Sequence, residues 1–211
     1  RELEVERIDV YFIHGLGAAY YEVVRDRLRP VLEKAQRGGK IGLFGLTEAF
    51  ESDTRHEMLR KAVSDDGWGI FMVGYNLINQ SASERVLAPA KAKGIATFGM
   101  FAVRRGLIEP DLLRNVLERL AEMGEIEPGL AEAPNLMAEL GLEGVSSSLV
   151  EAAYRFCAYD PGLDAVLSGT GSSKHLRSNL DAVERGPLPA ATIARLRGLF
   201  GRVEGVSGQV R

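Results

Sequence analysis

Two rhythms of apolar and polar positions alternate along the 211-residue chain. Short runs of four to six residues, rich in β-branched and aromatic types and bounded by Gly or polar residues, read as strands. They are Ile8 to Ile13, Ile41 to Leu46, Ile70 to Val73, Ile95 to Phe98 and Asp164 to Leu167. Between them the spacing turns helical. Tyr21, Val24, Leu28, Val31, Leu32 and Ala35 form an i, i+3, i+4, i+7 stripe, stopped by Gly38-Gly39. Ser81 with Glu84 predicts a capping box ahead of Val86, Leu87 and Ala90, and Ser148 with Glu151 predicts another ahead of Leu149, Val150, Ala153 and Phe156. Ser172 or Ser173 is expected to cap a helix with Leu176, Leu180 and Val183 on its inner face, and Pro189 to open a last helix carrying Ile193, Leu196, Leu199 and Phe200.

Strand and helix in alternation imply parallel strands joined by crossovers. Strands starting near residues 8, 41, 70 and 95 give units of barrel length. The fifth comes late and leaves an insertion from about 101 to 146, with an amphipathic helix from Asp111 to Met123. Five units fit either an open doubly wound sheet or part of a (β/α)8 barrel, and the regular unit length leans to the barrel. No G-x-G-x-x-G follows any strand, which removes the dinucleotide version of the open sheet.

Composition narrows the class. With 26 Lys plus Arg against 29 Asp plus Glu, the net charge of −3 offers no basic footprint for nucleic acid and no polybasic surface for membranes. At 45% hydrophobic residues the chain has material for a large core, and it contains no apolar run of membrane-spanning length and no signal-peptide pattern. Cys157 is the only cysteine, which excludes an internal disulfide and points to a reducing, cytoplasmic setting. The sequence is silent on oligomeric state. Scattered histidines at 14, 56 and 175 show no metal-ligand spacing.

Candidate chemistry gathers at strand ends, the functional edge in both architectures. His14 follows the first run, and an imidazole there can act as acid, base or donor to a substrate oxygen, or satisfy a loop carbonyl. Thr47-Glu48 ends the second run, and Tyr75-Asn76 the third, with Gln80 close behind. Such polar groups serve a ligand or cap a turn, while Tyr75 reads as a packing residue with a wet hydroxyl. Arg104-Arg105 after the fourth run suits a diphosphate or a solvated loop. The most informative string, Gly169-Thr170-Gly171-Ser172-Ser173-Lys174-His175, joins the last run to a helix start. Small residues admit close backbone approach, and free N–H groups with Lys174, His175 and Arg177 favour phosphate.

Together these strings resemble the aldo-keto reductase family. Arg7 to His14 resembles a strand ending in the family's active-site histidine, and Gly39 to Thr47 resembles its "GKIRAIGLSN" strand. Tyr75 to Ser81 is similar to "YNLLNRS", and Lys93 to Gly106 aligns without gaps to "GIGVIAYSPLAQG". Pro161 to Thr170 and His175 to Leu180 resemble the last strand and cofactor helix. The resemblance implies a (β/α)8 barrel and hydride transfer from NADPH, or NADH, to an aldehyde or ketone. It implies that His14 orients the carbonyl and Thr47 holds the nicotinamide amide. Phe101 lies beside Met100, which falls at the stacking tyrosine, and Gly169, Thr170, Gly171, Ser173, Lys174, His175 and Asn179 form the adenosine and phosphate site. Met100 in place of that tyrosine departs from the pattern, and so do three further positions. Glu48 replaces an asparagine, Met72 a glutamine, and His175 the arginine that pairs with a 2′-phosphate.

The proton-donating tyrosine and its lysine and aspartate belong to units this sequence does not contain. With Arg1 at its start, the chain reads as an N-terminally incomplete barrel domain lacking three units, about 90 residues by the size of an eight-unit barrel. By itself it is expected to be inactive. The rival within the family is a catalytically inactive, nucleotide-binding regulatory or assembly subunit. From a different class comes a phosphate-binding barrel isomerase or aldolase, which would want a strand-end lysine that none of the five runs supplies.

Overall fold

The computed structural model describes residues 4–209. Five strands, Ile8–Leu16 (β1), Ile41–Glu48 (β2), Ile70–Gly74 (β3), Ala96–Met100 (β4) and Ala165–Val166 (β5), lie side by side in chain order, and every pair is parallel. Each predicted apolar run contains or overlaps a strand. Consecutive parallel neighbours place all five C-terminal ends on one edge of the sheet. Register is tight at the centre: a Cβ on Gly45 would lie 1.6 Å from the carbonyl oxygen of its partner Ile70, so only glycine lets β2 and β3 approach this closely.

The helices are Tyr21–Val23 (α1), Arg29–Arg37 (α2), Glu57–Ser64 (α3), Ala88–Ala92 (α4), Pro110–Glu122 (α5), Leu136–Glu139 (α6), Leu149–Ala158 (α7), Ser173–Glu184 (α8) and Ala190–Phe200 (α9). The first predicted helix is not one uniform α-helix. A π-helical turn, Val24–Leu28, separates α1 from α2, and a second such turn, Ser83–Leu87, precedes α4. Both turns run into a proline near the start of the next helix, Pro30 or Pro89, whose missing N–H breaks the regular ladder there. Gly38 ends α2, and Gly39 follows at φ +74°, a conformation that favours glycine.

Ser148 and Ser172 cap α7 and α8, each hydroxyl accepting from the N–H three residues on. Ser81 does not do the same. Its hydroxyl donates to Asn79 Oδ1 at 2.7 Å inside the preceding turn, so the helical segment starts later, with Ala82 as its uncapped N-cap.

Two apolar faces also differ from expectation. Leu176 and Leu180 of α8 are exposed, while Asn179 and Ala182 turn inward; Leu28 and Val31 are exposed beside buried Leu32. Among the described residues α8 packs on α7 and α2 on β2, which leaves these side chains uncovered. The core lies instead over β2 to β4, where Phe44, Leu46, Phe71 and Val73 meet Met58, Leu59, Val86 and Leu87 from the helices. Each such side chain stabilises the fold by about 1.5–3 kcal/mol relative to exposure. Leu113, Leu117 and Leu120 of α5 join this core, so the segment from 101 to 146 is packed structure.

Candidate functional site

A cavity of about 800 Å³ opens along the C-terminal edge of the sheet. Its floor is His14 at the end of β1, Met72 of β3, Met100 of β4 and Phe101 just beyond. One wall is the loop after β4, with Arg104 and Arg105. The opposite wall comes from α7, with Ser148, Val150 and Tyr154. The far end is built by Leu167, Gly169 and Thr170 after β5 and by His175, Ser178 and Asn179 of α8, and Gln209 closes one side. Among the described lining residues there are two arginines and two histidines but no carboxylate, which favours an anion. A wider depression of about 1040 Å³ lies on the helical outside of the molecule. Its charges are largely spent on ion pairs such as Lys61–Glu22 and Lys93–Asp66, and it is remote from the strand ends, so the chemistry belongs to the smaller cavity.

The α8 end is made of polar groups, most of them exposed. Thr170 Oγ1 accepts from Ser172 N–H, and Ser172 caps the helix, leaving the first-turn dipole facing outward. Neither a left-handed backbone nor crowding demands glycine at 169 or 171: a Cβ at either would meet nothing within 4 Å. Of the two, Gly169 lines the cavity, and the room it leaves opens into it. Buried Asn179 donates from Nδ2 to Ser168 Oγ at 2.9 Å and to Tyr154 Oη at 3.2 Å. Tyr154 in turn donates to Ser168 at 3.0 Å, which fixes the Asn179 amide at the cavity wall. Gly171, Ser173 and Lys174 are exposed on the same loop and helix start but do not line the cavity.

The β2 end is the reverse. Thr47 is buried, its hydroxyl accepting from Gly15 N–H at 2.6 Å. The Glu48 side chain is fully buried: Oε1 accepts from Gly74 N–H at 2.6 Å, and His56 Nδ1 lies 3.0 and 2.9 Å from the two oxygens. Burial pushes the Glu48 carboxyl above the ordinary range, with His56 and the Gly74 N–H working against it. His56 sits at φ +59°, and its Nε2 is buried without a partner. Phe50 stacks on the His56 ring at 5.4 Å and on Phe101 at 6.2 Å, and the Arg104 guanidinium lies 4.2 Å over Phe101. Arg104 also pairs with Glu51.

Other strand-end polar groups serve the fold. Asn76 Oδ1 receives the N–H groups of Ile78 and Asn79, while Asn76 and Asn79 donate to Ser207 and Val206 carbonyls and hold the C-terminal segment down. Tyr75 is fully buried, and its hydroxyl is dry, donating to Asp160 at 2.8 Å. Cys157 is buried, and burial pushes its thiol up. Among the described residues no group of three metal-ligating side chains comes together, and no helix is long and apolar enough to cross a membrane.

The sequence profile of the Aldo/keto reductase family matches residues 1–200. The chain belongs to that family. Among solved structures, it is similar to the aldo-keto reductase AKR11C1 from Bacillus halodurans in its holo form, with a TM-score of 0.66 at 18% identity over 96% of this chain and 64% of that one. The apo form of the same reductase gives a TM-score of 0.65 at 18% identity, over 96% of this chain and 65% of that one. At this identity the likeness is one of fold: the five-stranded sheet is part of a (β/α)8 barrel, and the chain spans just under two thirds of those reductases' length. No curated protein matches it in sequence.

A nicotinamide dinucleotide, the cofactor that membership of the family implies, fits this cavity at one end. Gly169, Thr170, His175 and Asn179 suit an adenosine phosphate. At the floor the residues do not fit a carboxamide: Thr47 and Glu48 are buried and engaged, and Met72 and Met100 are thioethers. Tyr154, Ser168 and Gln209 escaped the sequence reading, the first because its place on the α7 apolar face is that of an ordinary core residue.

Proposed function

We propose that this chain forms the nucleotide-holding part of an NAD(P)H-dependent oxidoreductase that reduces a small aldehyde or ketone. The observation that carries this reading is the cavity itself. Among the described residues its lining holds no carboxylate and joins His14 near a strand end to His175 of α8. When bound, a reduced nicotinamide supplies the hydride. The chain's own part is to bind and orient. Arg105 offers charge to a diphosphate, and the His175 imidazole on α8 offers a donor to phosphate at the far end. His14 stands exposed in the cavity floor, where its imidazole can donate to a carbonyl oxygen as charge develops there. The tyrosine that donates the proton in the family matches no position of this sequence.

The test is a titration of NADPH fluorescence with the purified polypeptide. A saturable change is expected, and its absence would overturn the reading.

A further inference from the structure

We infer that the cavity recognises its ligand through its phosphate side, Arg105 and the α8 end, and that its floor is unselective because Glu48 is locked to His56. This deepens the nucleotide reading and rests on it. Three observations combine. The floor offers the thioethers of Met72 and Met100, the Phe101 ring and one imidazole, so a planar ring meets mostly apolar surface there. The polar side chains at the end of the neighbouring strand, Thr47, in register with Met72, and Glu48, are buried and already engaged.

The third observation is that Glu48 has no route outward. Turning it toward the cavity would strip the Gly74 N–H of its acceptor, and would leave the buried His56 ring with no partner on either nitrogen. The ring cannot follow, because Phe50 stacks on it, and Phe50 is itself seated over Gly74, where a Cβ would lie 2.3 Å from the ring. The ligand class is therefore an adenosine phosphate, with no premium on the ring it carries or on a hydrogen-bonding amide.

Calorimetric titration of the polypeptide distinguishes the possibilities. The probes are the tighter-binding of NAD+ and NADP+, its 3-acetylpyridine analogue, which lacks the amide NH2, and the matching ADP-ribose, which lacks the ring. Dissociation constants of all three within threefold of one another are expected, and a Glu48→Gln variant should leave them within threefold. An analogue or ADP-ribose weakened beyond threefold overturns the inference and leaves the nucleotide reading standing. A tenfold loss in Glu48→Gln, with the circular dichroism spectrum unchanged, also overturns it by showing that Glu48 reaches the ligand. No saturable heat with any probe overturns both.

Discussion

The β2 end, which lies behind the cavity lining, and the α8 end, which opens onto it, use threonine and histidine in opposite ways. At the β2 end a threonine, a glutamate and a histidine are buried and bonded to each other and to backbone. At the α8 end serines, a threonine, a lysine and a histidine stand in solvent around open glycines. What separates a ligand-binding group from a structural one here is burial and saturation, and residue type is no guide. A polar side chain whose bonds are already made inside the protein has nothing left for a ligand, and removing it costs the fold.

The largest expected effect lies in that contrast. His56→Ala leaves the Glu48 carboxyl buried without its partner and should destabilise by about 3–5 kcal/mol. Lys174→Ala, on an exposed side chain, should stay within about 0.5 kcal/mol. Urea melts of the two variants check it, and equal midpoints would erase the distinction. Next comes Gly74→Ala. The added methyl would press on the Phe50 ring, which is held against His56, and a loss of about 1–3 kcal/mol is expected from such overpacking. A neutral result in the same melts would mean that the Phe50–His56 stack is loose. Smaller again is Ser172→Ala, which removes the α8 cap and should cost about 1 kcal/mol. It should also weaken NADPH binding, whereas the Glu48→Gln change should not.

The same contrast explains what was legible in the sequence. Strands were readable because each is a short apolar run with glycine or polar stops, and Ser148 and Ser172 because a cap acts on the backbone three residues away. Both signals are local. Ser81 failed as a cap although its spacing to Glu84 is right, since Asn79 claims its hydroxyl. Leu176 and Leu180 carry a helical apolar rhythm, yet α8, packed on α7, buries Asn179 and Ala182 and leaves them exposed. Thr47 matches a ligand-holding position, but whether its hydroxyl is free depends on Gly15, which lies 32 residues away. The Glu48–His56 pair is invisible for a similar reason: nothing in the string tells that His56 adopts a left-handed backbone and turns back to the strand end.

The smallest effect is a slope. Burial raises the Glu48 carboxyl above its unfolded value of 4.5, with His56 and the Gly74 N–H opposing the rise. The native chain therefore holds that proton more tightly than the unfolded chain does. This adds stability below about 4.5, and the addition is lost as the pH climbs through the native value. Glu48→Gln keeps an acceptor for both His56 Nδ1 and Gly74 N–H and carries no titrating group. Thermal melts of the two proteins at a series of pH values should show the parent losing stability relative to the variant as pH rises from 4.5. Parallel curves would mean that burial and the His56 partner balance, and an opposite slope that the pair stabilises the carboxylate outright. In either case the β2 end would be held by charge more than by enclosure, and the β2 and α8 ends would differ less than their burial implies.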